Sequence, residues 1–473
     1  MNNSGYVVTT PIASAPSIMQ PHEISSKTDV SHLGVLVGDP NADRIVAVST
    51  SGVFEDRSLL QNFWKIDDAA IDSGFQGHLY TRPNDILVVR VPIDNDLFLQ
   101  MVSTAIRVNC KIWNSLTGIQ LASPASRMVL ASDHPSRPTH YLPENLTWHE
   151  GSLLDAAATR YRDTGDSFLA FVLNNQIVDM LYRPHPVGSA LMDQARTTSL
   201  LMDKNVVMQL LQDNNVDCAK TYPFNEDTYV DHALRSVPLS GRYVFKPAGG
   251  AAGIGVFSDA GHGASLPRIS RHLDALMRKN QLPRRFQIQE FVSGTPYGVS
   301  ACFDRDGRFE ILEIHQQIIN EAGEFIGGRW TPAIETEQME FAYALYRQLA
   351  GIKQLSLSGL ICLDIINGKV IEINPRLTAA APIVHILRRQ DQIAKHLGRG
   401  LRIEQIDLNT SLPIPYESIR NGALLDLIEL LWRERGVIVL PQGLDPFGVS
   451  RFVFINDDCD GTAQQTFIQW IER

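Results

Sequence analysis

The chain has 473 residues, a formal net charge of −10, 44% hydrophobic and 20% charged residues. An acidic balance of this size argues against a nucleic-acid partner, and the proportions are those of a globular protein long enough for about three domains with buried cores. No stretch approaches about 20 uninterrupted apolar residues and no charged segment followed by an apolar run opens the chain, so neither a membrane span nor a secretory leader is expected. Cys110, Cys218, Cys302, Cys362 and Cys459 are scattered, with no Cys-x-x-Cys pair. That pattern favours a reducing, cytoplasmic setting with the thiols packed as small apolar groups.

Residues 1–30 are rich in Ser, Thr, Pro and Asn and read as a mobile arm or an extended strap. Short apolar runs follow at Leu33 to Val37 and Ile45 to Val48, divided by the turn residues Gly38-Asp39-Pro40-Asn41. Asp85 to Val91 and Phe168 to Leu173 have the composition of buried strands, with a helical pattern between them over Asn95 to Val108. Strands alternating with helices predict a doubly wound, parallel α/β domain over 31–190.

Ala195 to Asp213 reads as helical, with Leu200, Leu201, Val207, Leu210 and Leu211 as the apolar stripe and Asn214-Asn215 as its end. Lys204 lies on it. Farther on, Arg242-Tyr243-Val244-Phe245-Lys246 is an apolar run ending in a lysine; Pro247 stops it, and the glycine loop Ala248 to Gly255 precedes a second apolar run. Glycines admit an anion close to backbone N–H groups and a neighbouring ammonium adds a point charge, a pairing suited to phosphate. A plain hairpin turn beside a surface lysine is the other reading. The loop is not a Walker loop, since no Gly-Lys-Ser/Thr occurs, and it lacks the Gly-x-Gly-x-x-Gly order.

Phe286 to Val292 alternates as a strand, and Glu310 to Gln317 as another, followed by a glycine-flanked Arg329-Trp330 pair. Then comes Gly368-Lys369-Val370-Ile371-Glu372-Ile373-Asn374-Pro375-Arg376. Positions i and i+2 of a strand share a face, so Glu372 and Asn374 offer oxygens to one point, as a hard cation such as Mg²⁺ requires. A solvated strand face is the alternative.

Taken in order, Asp203-Lys204 opening a helix, Lys246-Pro247 with its glycine loop, Gln289-Glu290-Phe291-Val292-Ser293-Gly294 and Glu372-Ile373-Asn374-Pro375-Arg376 resemble the ATP-grasp superfamily over about residues 200–390. The resemblance implies an α+β ATP-grasp domain pair over 191–400 behind a pre-ATP-grasp domain over 31–190, with 401–473 as a C-terminal α/β segment. It implies ATP and Mg²⁺ as the bound groups. Lys204, Lys246, Gly249, Gly250 and Gly253 would hold phosphates, and Gln289, Glu290, Phe291 and Val292 would meet the adenine. Glu372 and Asn374 would hold the metal, and Arg376 would steady the transferring phosphoryl oxygens unless it only pairs with a nearby carboxylate. Arg329 would hold a substrate carboxylate or sit in a surface turn, and His315 would line the pocket or pack in the core.

Two departures from the family pattern stand out. Many relatives carry an acid after the hinge glycine to hold the ribose, where this chain has Thr295, Pro296 and Tyr297. The family's second metal acid falls a dozen or so residues before the Glu, where this chain has Ser358, Gly359, Leu360 and Ile361. Asp364 is the nearby candidate. A two-residue turn at Asn367-Gly368 would set Leu363 opposite Glu372 and turn Asp364 to the other face, whereas a three-residue loop ending in Lys369 would set Asp364 opposite Glu372.

Past residue 400, Asn421 to Arg435 reads as an amphipathic helix, and Gly436 to Pro441 with Val449 to Ile455 as a strand pair. This tail loosely resembles ATP-grasp peptide ligases of natural-product pathways. The resemblance as a whole implies an ADP-forming carboxylate–amine ligase: ATP phosphorylates a carboxylate and an amine displaces the phosphate. Its partners would be a small-molecule acid and amine, an amino acid or peptide-like compound among them, with a homodimer left open. A phosphotransferase on the same fold and a non-catalytic ATP-binding regulator are the alternatives.

Overall fold

The computed structural model describes residues 35–37, 44–47, 86–90, 96–117, 127–132, 146–150, 156–160, 167–170 and 178, and then 189–471 apart from 226–233, 251–254, 260–261, 305–306, 321–324, 356, 377, 379, 388, 399–400, 408–413, 445–450 and 457–461. The arm expected over 1–30 and the turn at Gly38 to Asn41 lie outside the described residues, as does Gly253.

The first sheet contains β1 (Val35–Val37), β2 (Arg44–Ala47), β3 (Ile86–Arg90), β4 (Arg127–Ser132), β5 (Leu146–Glu150) and β6 (Ser167–Ala170) in the order β1-β6-β2-β3-β4-β5. Its ladders are parallel except that of β1 with β6. The chain is thus mixed α/β at this end, as the alternation of strands and helices implies. The runs holding β1 and β2 are neighbours in sequence, yet β6 lies between them.

The second sheet is antiparallel: β7 (Thr221–Phe224), β8 (Arg242–Pro247), β9 (Ala264–Ser265) and β10 (Phe286–Glu290), in the order β7-β10-β8-β9. Phe224, Tyr243, Phe245, Phe286 and Ile288 bury one face against Leu266, Ile269, Leu273 and Leu276 of the helix Leu266–Arg278. By strand alternation the other face carries Thr221, Lys246, Gln287 and Gln289, which are polar and nonetheless buried.

The third sheet has eight antiparallel strands: β11 (Pro296–Phe303), β12 (Phe309–Ile319), β13 (Phe325–Trp330), β14 (Gly359–Ile366), β15 (Lys369–Asn374), β16 (Ile403–Asp407), β17 (Ile438–Gly443) and β18 (Arg451–Ile455). They run β15-β14-β11-β12-β13-β16-β18-β17. Val299, Ala301, Ile314, Ile361, Leu363 and Ile365 cover one face together with Ala342, Leu345, Tyr346 and Leu349 of the helix Pro332–Ala350. The strand pair read from the C-terminal sequence is β17 with β18, and the amphipathic helix is Ala423–Arg435. Trp113, on the helix Asp96–Thr117, donates its indole N–H to Pro441 O at 2.7 Å, and Ile106, Cys110 and Ile112 share a core with Val439, Phe452 and Phe454.

The helical stretch expected over Ala195 to Asp213 is two helices, Ser189–Met202 and Lys204–Asp213, the second opening at Asp203-Lys204 as the resemblance implies. Asp203 separates them. Its extended backbone (φ −81°, ψ 100°) lets the carboxylate accept from Asn205 N and Val206 N, and Arg285 Nη1 donates to the same side chain at 2.6 Å. A capping carboxylate satisfies N–H groups that begin a new helix, so the apolar stripe continues while the backbone breaks. Lys204 therefore occupies the first turn of the second helix, and its N–H donates to Ala248 O at 3.0 Å, tying that turn to the start of the glycine loop.

Candidate active site

Asn367 and Gly368 form the two-residue turn between β14 and β15, with φ of 46° and 81°. Positive φ at both positions is what a type I′ hairpin demands. The ladder starts as that turn dictates, with Ile366 opposite Lys369 and Ile365 opposite Val370, and then slips by one residue so that Asp364 faces Glu372 and Cys362 faces Asn374. Ile371 is the extra residue, a β-bulge. The turn length thus follows one of the two sequence alternatives and the facing of Asp364 follows the other. The displaced Ile371 carbonyl accepts from Gln289 Nε2 at 3.2 Å and Lys246 Nζ at 3.4 Å, which joins the polar face of the second sheet to the third.

Register across β12, β11, β14 and β15 sets His315, Gly298, Asp364 and Glu372 in one transverse row, and Glu313, Ser300, Cys362 and Asn374 in the next. Register partners share a face, so both rows look the same way. Gln317 Nε2 donates to Asp364 Oδ1 at 2.7 Å and Asn374 Nδ2 to Asp364 Oδ2 at 3.2 Å. Lys204 Nζ lies 3.4 Å from Glu372 Oε1. In the neighbouring row Ser300 donates to Glu313 Oε1, while Trp330 Nε1 and His315 Nδ1 both lie 2.8 Å from Glu313 Oε2.

Electrostatics separate the two facing acids. Burial, then the charge of Glu372, pushes the Asp364 carboxyl up to about 6. Burial also pushes Glu372 upward, but Lys204, Lys246 and Arg376 outweigh it and hold this carboxyl below its usual range. Burial lowers the ammonium of Lys246 and the guanidinium of Arg376, with Glu372 opposing both shifts. The result is a largely buried patch in which Lys204, Lys246 and Arg376 offset Glu372, while Asp364 faces a like charge and is held by the amides of Gln317 and Asn374.

Among the described residues, no group of three or more His, Cys, Asp or Glu is placed to hold a metal ion. Two carboxylates and the Asn374 oxygen, whose amide N–H₂ already serves Asp364, make a partial oxygen set. That fits Mg²⁺, which binds through one or two carboxylates and takes its remaining ligands from water and phosphate. A closed all-protein cage of the kind that suits Zn²⁺ or Ca²⁺ does not form here.

The other expected site residues fall as follows. Lys204 and Lys246 are brought together with Glu372 and lead into Gly249 and Gly250, the latter at φ 124°. Gln289 directs its side chain to Ile371 O and Thr221 Oγ1. The N–H groups of Glu290 and Phe291 donate to Lys220 O and Arg242 O, so these two hinge amides are committed within the fold; the Glu290 side chain lies 3.8 Å from Lys369, and Val292 follows the strand. Arg376 lies within the electrostatic reach of Glu372, Cys362 and Asp364. Arg329 is not brought to these rows. It is opposite Gln316 in register, on the face that Gln317 and Trp330 do not share, and it pairs with Glu404 on β16 at 3.1 Å. The glycine-flanked Arg-Trp pair concealed this, because adjacent strand residues point to opposite faces.

Glu313, Gln317 and Ser300 belong to the constellation although sequence alone did not single them out. Their signal was a polar residue at every second position of an otherwise apolar strand, Glu313-x-His315-x-Gln317. Gln287, fully buried opposite Lys246 with neither amide atom partnered among the described residues, gave no sequence signal beyond strand alternation.

Residues 201–380 match the family model of an ATP-grasp domain. No curated protein matches the chain. Among solved structures the chain is similar to an L-amino acid ligase from Bacillus licheniformis, at 11% identity and a TM-score of 0.46, covering 83% of this chain and 98% of that one. It is also similar to an N5-carboxyaminoimidazole synthetase from Staphylococcus aureus complexed with ADP, at 12% identity and a TM-score of 0.46, covering 76% and 94%. A putative ATP-grasp superfamily protein from Archaeoglobus fulgidus is similar at 16% identity and a TM-score of 0.41, covering 79% and 95%. At these identities and scores no reading of the substrate rests on them.

Proposed function

Starting from an ATP-grasp domain over residues 201–380, we propose that the protein is an ADP-forming ligase that activates a carboxylate as an acyl phosphate and joins it to an amine. The observation that carries this reading is the transverse pair Asp364 and Glu372, with Asn374 beside them and Lys204 and Lys246 alongside Glu372. Two acids, a carboxamide and two buried ammonium groups are a donor set for phosphate oxygens with a divalent cation.

Within this reading Lys204, Lys246 and the loop from Ala248 hold the phosphates of ATP. Asp364, Glu372 and Asn374 hold Mg²⁺, which when bound supplies positive charge against the phosphate oxygens. Arg376, half-buried next to Glu372, holds charge that builds on the transferring phosphoryl group. No nucleophile from the protein is required, because positioning and electrostatics carry most of the rate of phosphoryl transfer. The lack of an acid around Ser358 to Ile361 gives some weight to a non-catalytic regulator; in this reading Asp364 takes that acid's place. An amino acid or peptide-like acid is the substrate class we infer, in a cytoplasmic setting.

An isotope experiment tests the chemistry whatever the acid. With amino acids labelled with ¹⁸O in the carboxylate, one labelled oxygen should leave in inorganic phosphate, alongside ADP. Label in AMP would mean adenylation and would overturn the acyl-phosphate step. Label retained in a phosphorylated product without free phosphate would select the phosphotransferase instead.

A further inference from the structure

The mechanism above leaves one buried acid–imidazole pair unused. Glu313 accepts from Ser300, Trp330 Nε1 and His315 Nδ1, and its side chain is fully buried. A carboxylate with three donors is held as an acceptor, so the proton of a neutral imidazole is assigned to Nδ1 and its lone pair to Nε2. The ring is also fixed in place. Trp330 stacks on it at 4.8 Å, and the strands on either side present glycine: a Cβ on Gly298 would stand 2.2 Å from His315 Cε1 and 2.5 Å from Nε2, and one on Gly328 would stand 2.9 Å from Cδ2. The Cε1–Nε2 edge therefore lies over β11, in the row that continues to Asp364 and Glu372. Two strand spacings, roughly 10 Å, separate the backbones of His315 and Asp364, and the imidazole spans the first of them, bringing Nε2 toward the phosphate site.

We propose that His315, backed by Glu313, is the proton acceptor for the incoming amine; this rests on the ligase reading above. As the amine nitrogen bonds to the carboxyl carbon of the acyl phosphate, its proton passes to His315 Nε2. The carbon–oxygen bond to the phosphate breaks, and phosphate leaves with the electron pair. Glu313 holds the imidazolium that results, which later returns its proton to solvent. The charged groups facing His315 are Glu313 on its own strand and Asp364 beyond Gly298, with Glu372, Lys246 and Lys204 farther along; β13 presents Phe325, Gly328 and Trp330 to it, none of them charged.

The test compares His315→Gln with the unaltered protein, using ATP, Mg²⁺ and the twenty proteinogenic amino acids as a pool, with and without hydroxylamine. Hydroxylamine is already unprotonated at neutral pH and captures an acyl phosphate as a hydroxamate without help from a base. In His315→Gln, amide formation should fall by about a hundred- to ten-thousandfold, the usual contribution of a positioned base. Hydroxamate should stay within about threefold of the unaltered protein, and amide formation should recover as pH rises and free amine accumulates. Glu313→Gln should show the same split with a smaller loss. Equal loss of amide and hydroxamate in His315→Gln would mean a structural role and overturn the proposal, as would no loss of either. If the unaltered protein yields no amide or hydroxamate from any of these acids, the ligase reading fails first and this inference with it.

Discussion

Gln317 donates to the Asp364 oxygen Oδ1 at 2.7 Å from two strands away, reaching past β11 to orient a carboxylate it does not adjoin in the ladder. Partners that orient a metal-binding carboxylate in this way contribute about ten- to a hundredfold to metal affinity or activity. Gln317→Leu should therefore raise the Mg²⁺ needed for half-maximal ATP turnover by about tenfold or more, with ATP affinity at saturating Mg²⁺ little changed. An unaltered Mg²⁺ titration would remove Asp364 from the metal set.

Lys246 is buried and directs its ammonium to Ile371 O on the bulge. Hydrogen bonds to charged groups contribute roughly 1.5–3 kcal/mol, so Lys246→Ala should weaken ATP binding by about ten- to a hundredfold. Calorimetry reads this directly. Equal affinity in the two proteins would return Lys246 to a purely structural bond between the two sheets.

Adding a methyl group at Gly298 places it 2.2 Å from the His315 ring. Such overpacking costs roughly 1–3 kcal/mol, and Gly298→Ala should lower the unfolding free energy read from a urea titration by that amount. Combined with His315→Ala the cost should shrink, because the same space is vacated. Strict additivity in that cycle would mean that the ring is not where the clash occurs.

His272 stacks on Phe257 at 4.0 Å and meets Phe245 edge-on, and its Nε2 has no partner among the described residues. Burial, then Lys279, lowers its imidazole below the ordinary value of 6.5. The folded state thus prefers the neutral ring. Its stabilising contribution is complete above pH about 6.5 and is lost as pH falls below that value toward the lowered folded-state pKa. Urea midpoints between pH 7 and 5 should decline less steeply in His272→Phe than in the unaltered chain, and parallel curves would exclude the mechanism.

The parts of this site that obey a local period were legible in the sequence. Glu372 and Asn374 share a face because strands alternate, and Lys246 stands next to the end of β8 because the strand stops at Pro247, ahead of the glycines. The bulge at Ile371 was not legible, since it is settled by contacts from Lys246 and Gln289, remote in sequence, to the carbonyl it releases. The pairing of Arg329 with Glu404 was not legible for a related reason: it depends on β16, remote in sequence, lying beside β13. Asp203-Lys204 was legible as a helix start, but the apolar stripe runs on through it and hides that another helix ends just before, at Met202. The insertion of β6 between β1 and β2 depends on pairing over more than a hundred residues, which no window of sequence reveals.

The eight-stranded sheet sets a limit on how this chain can be cut. The boundary expected near residue 400 lies just before β16, and ending the chain there would strip β13 of its outer neighbour. The backbone of Phe325 to Trp330 would become an open edge, a template for pairing with other molecules. Arg329 would lose Glu404, and Trp113 would lose its acceptor at Pro441. A fragment covering only the matched residues 201–380 should therefore self-associate on expression, and soluble preparations should be sought with the strands through β18 retained.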